Sequence, residues 1–119
     1  MTGPVVVKLG GSSLDAGAAL WSAIVEAAAA RPVVVVHGGG AIADRRLGAH
    51  GFTSTRTGGL RLTPAEHLGV VVGALAGEAN TRVVSALNAA GARAVGLTLV
   101  DGGEIACVNA GLEPGDRVG

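Results

Sequence analysis

Val33-Val34-Val35-Val36-His37-Gly38-Gly39-Gly40, residues 33–40, is a run of four β-branched residues that stops on three consecutive glycines. β-Branched side chains favour a pleated strand, and an unbroken apolar run of this length fits a strand buried on both faces of a parallel sheet. The same construction stands at Val5-Val6-Val7-Lys8-Leu9-Gly10-Gly11. Between the two lies Ala18 to Ala30, which reads as a helix with Leu20, Ile24, Ala27 and Ala28 on one face and Pro32 as its stop. Strand, helix and strand in this order mark a right-handed crossover and a parallel pair.

The pattern continues outward. Gly10 to Asp15 reads as a loop, and Ala41 to His50 as a helix. Phe52 to Leu62 is a hairpin turning at Gly58-Gly59. Thr63-Pro64-Ala65-Glu66 carries a cap, a proline for the first helical position and a capping-box glutamate. Leu68, Val71, Val72 and Leu75 follow at helical spacing, with Gly77 expected to break or bend the run. A further helix, Glu78 to Ala90, ends at Gly91. Ala94 to Leu99 is expected as a third buried strand, Asp101-Gly102-Gly103 as a turn, and Ile105 to Val108 as a short strand, before a tail over Asn109 to Gly119. The expected class is α/β: a three-layer αβα domain with a mainly parallel central sheet.

Composition narrows the function. Hydrophobic residues are 49% and charged residues 15% of 119, enough apolar material for one core and too little charge for disorder. Nine basic and nine acidic residues cancel, and one Phe, one Trp and no Tyr provide no stacking platform. No nucleic-acid partner is expected. Cys107 is the lone cysteine, which excludes an internal disulfide framework and argues against a structural zinc site. The valine runs are too short to span a bilayer, and the first residues lack a signal-peptide pattern, so no membrane and a cytoplasmic location are expected. Glycine is 21 of 119 against a usual usage of about 7%, and the excess clusters at turns.

Those turns carry the chemistry. A glycine lets a backbone N–H approach an anion, and a helix starting just beyond adds its positive end. Gly10, Gly11, Gly39 and Gly40 stand at the carboxyl ends of strands, where open α/β sheets bind ligands. Lys8 faces the first turn and suits a moving phosphoryl group as a compact point charge. Arg61 reads equally as a solvent-facing hairpin residue or as a bidentate clamp on a carboxylate. His37, His50 and His67 lack metal spacing, so no metal site is expected, and His37 reads as structural. Asp101 reads as part of its turn, and Arg45-Arg46 as a solvated helix face.

Two look-alikes fail. Gly38 to Ala43 satisfies a dinucleotide pattern, but it follows the second strand and lacks the acidic residue about twenty positions on. HGGG resembles the oxyanion loop of lipases, yet there is no G-x-S-x-G. No G-x-x-x-x-G-K-[ST] is present.

Taken together, VVVKLGG at 5–11, VVVVHGGG at 33–40, GLRLTPAEH at 59–67, GALAGEANT at 73–81 and AVGLTLVDGG at 94–103 resemble the N-acetylglutamate kinases of the amino acid kinase superfamily. The resemblance implies the carbamate kinase-like fold and transfer of a phosphoryl group from MgATP to the side-chain carboxylate of N-acetyl-L-glutamate, in arginine synthesis. Lys8 then matches the lysine that stabilises the transferring phosphoryl group. Gly10 and Gly11 match the phosphate-binding loop. Gly39 and Gly40 match the glycines that hold substrate carboxylate and phosphate, and Arg61 matches the arginine on the substrate's α-carboxylate.

The family fold is longer. Its second half supplies the main nucleotide site, and those motifs have no counterpart here. Residues 1–119 are therefore expected to be one domain, the amino-terminal substrate-binding lobe without the nucleotide-binding lobe. The implied cofactors are ATP and Mg2+. The implied partners are N-acetyl-L-glutamate, and a second copy in a homodimer or a complementary carboxyl-terminal lobe. Two other readings share these residues: a non-catalytic binding or regulatory module for an acylated acidic amino acid, and a sister kinase of another carboxylate such as N-acetyl-aminoadipate.

Overall fold

The computed structural model describes residues 3–103 and residue 105. Strand β1 is Val5–Leu9. A 3-10 turn over Gly11–Asp15 follows in place of the expected open loop, then helix α1, Ala18–Ala30. Strand β2 is Val33–His37 and helix α2 is Gly40–Ala49. Strands β3, Thr55–Thr57, and β4, Leu60–Leu62, form a hairpin, followed by helix α3, Ala65–Val72, a π-helical segment Gly73–Ala79 and helix α4, Asn80–Ala89.

β1 and β2 pair in parallel, with Val5 opposite Val33 and Leu9 opposite His37. Pro32 ends α1 and hands its carbonyl to the Val5 N–H at 2.9 Å, which sets this register from its first residue. The core gathers Leu9, Trp21, Ile24, Ile42, Val83 and Leu87 under this pair. α1 turns Trp21 and Ile24 inward and leaves Ala27 and Ala28 exposed. The expected face is thus rotated, because one indole buries far more apolar surface than two alanine methyls.

Among the described residues the sheet is covered on one face only. Val7, Val33 and Val35 pack against the core, whereas Val6, Val34 and Val36 are exposed, Val6 by 64%. The expectation of strands buried on both faces is corrected here: that burial needs helices on both sides, and the described helices pack on one. The expected third strand, Ala94 to Leu99, joins no ladder, and Val95 is 81% exposed. It is tied at its start, where Asn88 Oδ1 accepts the Ala94 N–H at 2.7 Å. The Asp101 turn forms as read, with the Thr98 N–H donating to the Asp101 carboxylate at 2.5 Å. The strand expected over Ile105 to Val108 and the tail from Asn109 lie outside the described residues, except Ile105, which is in no strand.

Residues 65–89 run as one helical stretch of 25 residues. Gly77 does not break it; the ladder widens to the π form over Gly73–Ala79 and then recovers. Such widenings cluster at functional sites, and this one sets Leu75 and Ala79 against Gly39. The stretch is long and apolar enough to cross a bilayer, with mean hydropathy 1.2. Its Ala74, Ala79, Val83 and Leu87 nevertheless belong to the core, as in the central helix of a globular domain. The expected capping box is not formed. Thr63 is buried, its Oγ1 finds no hydrogen-bond partner among the described residues, and Pro64 stands just outside α3. Gly91, at φ 102°, ends α4 as expected of a left-handed cap.

Candidate functional site

The register of the parallel pair brings the two glycine turns together. The Gly38 N–H donates to the Leu9 carbonyl at 3.1 Å, so β2 stays tied to β1 at the moment both chains leave the sheet. A Cβ on Gly11 would stand 3.9 Å from the Gly40 nitrogen. The first bond of α2 runs from the Ala43 N–H to the Gly39 carbonyl at 3.0 Å. The N–H groups of Gly40, Ala41 and Ile42 therefore precede the helical ladder, where they lack intrahelical acceptors and carry the positive end of the helix dipole. Gly39 is needed for room: a Cβ there would lie 2.9 Å from Leu75 Cδ2 and 3.1 Å from Ala79 Cβ.

The hairpin closes over this turn. Gly58 at φ 57° and Gly59 at φ 81° form a two-residue turn of the kind that matches strand twist, a conformation that side-chain-bearing residues rarely adopt. Arg61 comes off β4 buried rather than facing solvent. Its Nη1 donates to Asp44 Oδ1 and to Ser54 Oγ, and its Nη2 to the Gly40 carbonyl at 3.1 Å. Arg56 Nη2 donates to Asp44 Oδ2 at 2.9 Å. The Arg61 hydrogen bond, with Arg56 and Ser54 adding to it, holds the Asp44 carboxyl well below the usual carboxylate range; partial burial opposes this and is outweighed.

The result is a cleft of about 240 Å³ whose walls include Gly39, Gly40, Arg56, Arg61 and Leu75. Lys8, Gly10 and Gly11 are not among its walls. Lys8 stands on the uncovered sheet face, paired in register with Val36, and among the described residues it makes no ion pair. The expected site residues thus form two groups, Gly39-Gly40-Arg61 in the cleft and Lys8-Gly10-Gly11 at the neighbouring strand end, joined by the approach of Gly11 to Gly40.

His37 serves the turn. Its Nδ1 donates to the Gly38 carbonyl at 2.9 Å, and the Asn80 amide meets Nε2 at 3.3 Å. Arg45 and Arg46 are more than a solvated face, since both pair with Glu78, at 2.5 and 2.8 Å. Among the described residues no three His, Cys, Asp or Glu side chains gather into a cation site.

A profile of the Amino acid kinase family matches residues 3–116. The chain belongs to that family. Its α/β build with a parallel strand pair agrees with the membership. Acetylglutamate kinase of Colwellia psychrerythraea is 42% identical over 106 residues, covering 87% of this chain and 41% of the relative. Acetylglutamate kinase of Moritella profunda is 43% identical over 108 residues, with the same coverage of 87% and 41%. The chain thus spans about two fifths of the length of these relatives. Among solved structures, N-acetylglutamate synthase from Neisseria gonorrhoeae, complexed with coenzyme A and L-arginine, is similar with TM-score 0.54 and 28% identity, over 82% of this chain and 24% of that one.

Within this family member, Asp44, Ser54 and Arg56 went unread in the sequence. Two signals were available. A two-residue loop at Gly58-Gly59 forces Arg56 opposite Arg61, and Asp44 lies one helical turn beyond Gly40, on the same side of α2.

Proposed function

We propose that this chain forms the carboxylate-binding part of an acetylglutamate kinase, which transfers the γ-phosphoryl group of ATP to the side-chain carboxylate of N-acetyl-L-glutamate in arginine synthesis, in the cytoplasm. The observation that carries the reading is the meeting of a strand-end glycine turn and a buried arginine in one cleft, at Gly40 and Arg61. The acetylglutamate kinases among its relatives support it.

The chemistry asks little of the protein beyond placement. A glutamate side chain has a reference pKa of about 4.3 and is already ionised at neutral pH. It attacks the γ-phosphorus, the bond from that phosphorus to the bridging oxygen breaks, and ADP leaves with the electron pair. No general base is required. The obstacle is repulsion between two anions, which fixed N–H donors and a lysine offset. Arg61 holds the α-carboxylate. The amides of Gly39 and Gly40 orient the reacting carboxylate, and Gly10, Gly11 and Lys8 receive the phosphoryl group. Adenine and ribose belong to the second half of the family fold.

Calorimetry tests the reading. N-acetyl-L-glutamate should bind, and N-acetyl-L-glutamine, with its side-chain charge removed, should bind at least tenfold more weakly, a difference of about 1.4 kcal/mol. A folded sample that takes up neither would sink the reading. Binding by a complete kinase fold without ADP release from MgATP would favour the non-catalytic module instead.

A further inference from the structure

Arg56 and Arg61 are direct cross-strand partners in the hairpin. Like charges placed opposite each other destabilise a two-stranded ribbon, yet here both guanidiniums converge. Their Nη2 atoms lie 3.8 and 3.7 Å from the position of a Cβ on Gly40. The Asp44 carboxylate sits between them, Oδ1 on Arg61 and Oδ2 on Arg56. The pair is thus already gripping one carboxylate from two sides, which demonstrates the chemical group its spacing accepts.

The two arginines differ in what they have left to give. A guanidinium carries five N–H donors. Arg61, with 8% of its side chain exposed, commits three of them to Asp44, Ser54 and Gly40. Arg56, with 44% exposed, commits one among the described residues, to Asp44. One carboxylate faces two guanidiniums, so the cleft mouth keeps a net positive charge, and most of the unspent donors belong to the arginine at the rim.

We propose that Arg56 is a further anion-binding and specificity-determining residue of this cleft. It reads the same substrate carboxylate as Arg61 from the open side, while Asp44 holds the two guanidiniums in position. This rests on the proposed function above, and it assigns the α-carboxylate of an N-acylated dicarboxylate to two arginines. A carboxamide at that position offers one acceptor oxygen and no charge, so the pair selects against it.

Calorimetry with two probes, N-acetyl-L-glutamate and its α-carboxamide, reads the assignment. Arg56→Ala should weaken N-acetyl-L-glutamate about tenfold, as the loss of a charge-assisted hydrogen bond would, and should change α-carboxamide binding less than about twofold. Arg56→Lys should recover part of the loss. Arg56→Gln, which retains length and removes charge, gives the same comparison should the alanine variant fail to fold. Unchanged binding of N-acetyl-L-glutamate, or an equal loss for both probes, would overturn the proposal. If Arg61→Ala weakens N-acetyl-L-glutamate tenfold or more while Arg56→Ala leaves it unchanged, this proposal alone falls. If the parent chain binds no N-acetyl-L-glutamate, both readings fall together.

Discussion

Gly39→Ala and Gly40→Ala are expected to fail in opposite ways, although the two glycines are adjacent. The Cβ of an alanine at 39 would stand 2.9 Å from Leu75 Cδ2 and 3.1 Å from Ala79 Cβ. The leucine tip can swing aside, but the Ala79 methyl is fixed to a helix backbone. Overpacking of this kind costs about 1–3 kcal/mol, which lowers the thermal midpoint of a domain this size by on the order of 10 °C. At 40 the nearest atoms are the Arg61 and Arg56 Nη2 groups, at 3.7 and 3.8 Å, which is ordinary contact. Alanine is also the better helix former at the start of α2. Gly40→Ala should therefore keep its midpoint. In the proposed site the added methyl would stand where the substrate carboxylate meets both guanidiniums, so it should weaken N-acetyl-L-glutamate at least tenfold, about 1.4 kcal/mol. Melting curves and calorimetry on the two variants check this pair. A stable Gly39→Ala would contradict the close packing at that position, and a Gly40→Ala that binds normally would show that the turn does not hold the anion.

Arg61→Ala should have the second large effect, on both readouts at once. Arg61 ties β4 to α2 through Asp44 and Gly40, and to the hairpin approach through Ser54. Its loss strips donors from a half-buried carboxylate and a backbone carbonyl, at a cost of about 1–3 kcal/mol. Binding of N-acetyl-L-glutamate should fall by tenfold or more. Arg61→Lys separates the two contributions. It restores a charge beside Asp44 but cannot reach Asp44, Ser54 and Gly40 together, because an ammonium has no planar fork. The lysine variant should regain part of the stability and little of the affinity. Full recovery of affinity would mean that charge alone suffices, and the clamp description would be wrong.

The elements that could be read in advance are those fixed by their own residues. Ala18–Ala30 is a helix because alanine, leucine and glutamate favour it and Pro32 forbids its continuation. The hairpin turns at Gly58-Gly59 because glycine takes two successive positive φ values without strain. The parallel pair follows from two valine runs joined through one helix. What escaped depends on neighbours. A valine run has the same sequence whether one or both of its faces are covered, so the exposure of Val6, Val34 and Val36 had no local sign. Residues 94–99 have strand chemistry, but a strand needs a ladder partner, and none of the described residues provides one. The π-helical segment, which packs against α2, and the burial of Thr63 likewise depend on tertiary neighbours.

The candidate site divides along the same line. The glycines, Lys8 and Arg61 stand out because their residue types are unusual beside buried strands. Asp44 and Arg56 look like ordinary surface charges until the hairpin register sets them around Gly40. Their importance arises from pairing across 12 and 17 residues of sequence, a scale at which single-residue chemistry is silent.

The central claim is that the bends leaving β1 and β2 form one anion-binding surface. Amide NMR during titration with N-acetyl-L-glutamate tests it most directly. The N–H signals of Gly11, Gly39, Gly40 and Ala41 should move together with the Arg61 side chain along a single binding curve, while the distant Gly91 and Gly102 stay still. Shifts at Gly39 and Gly40 that follow one curve while Gly11 follows another or none, or changes centred away from both turns, would contradict it.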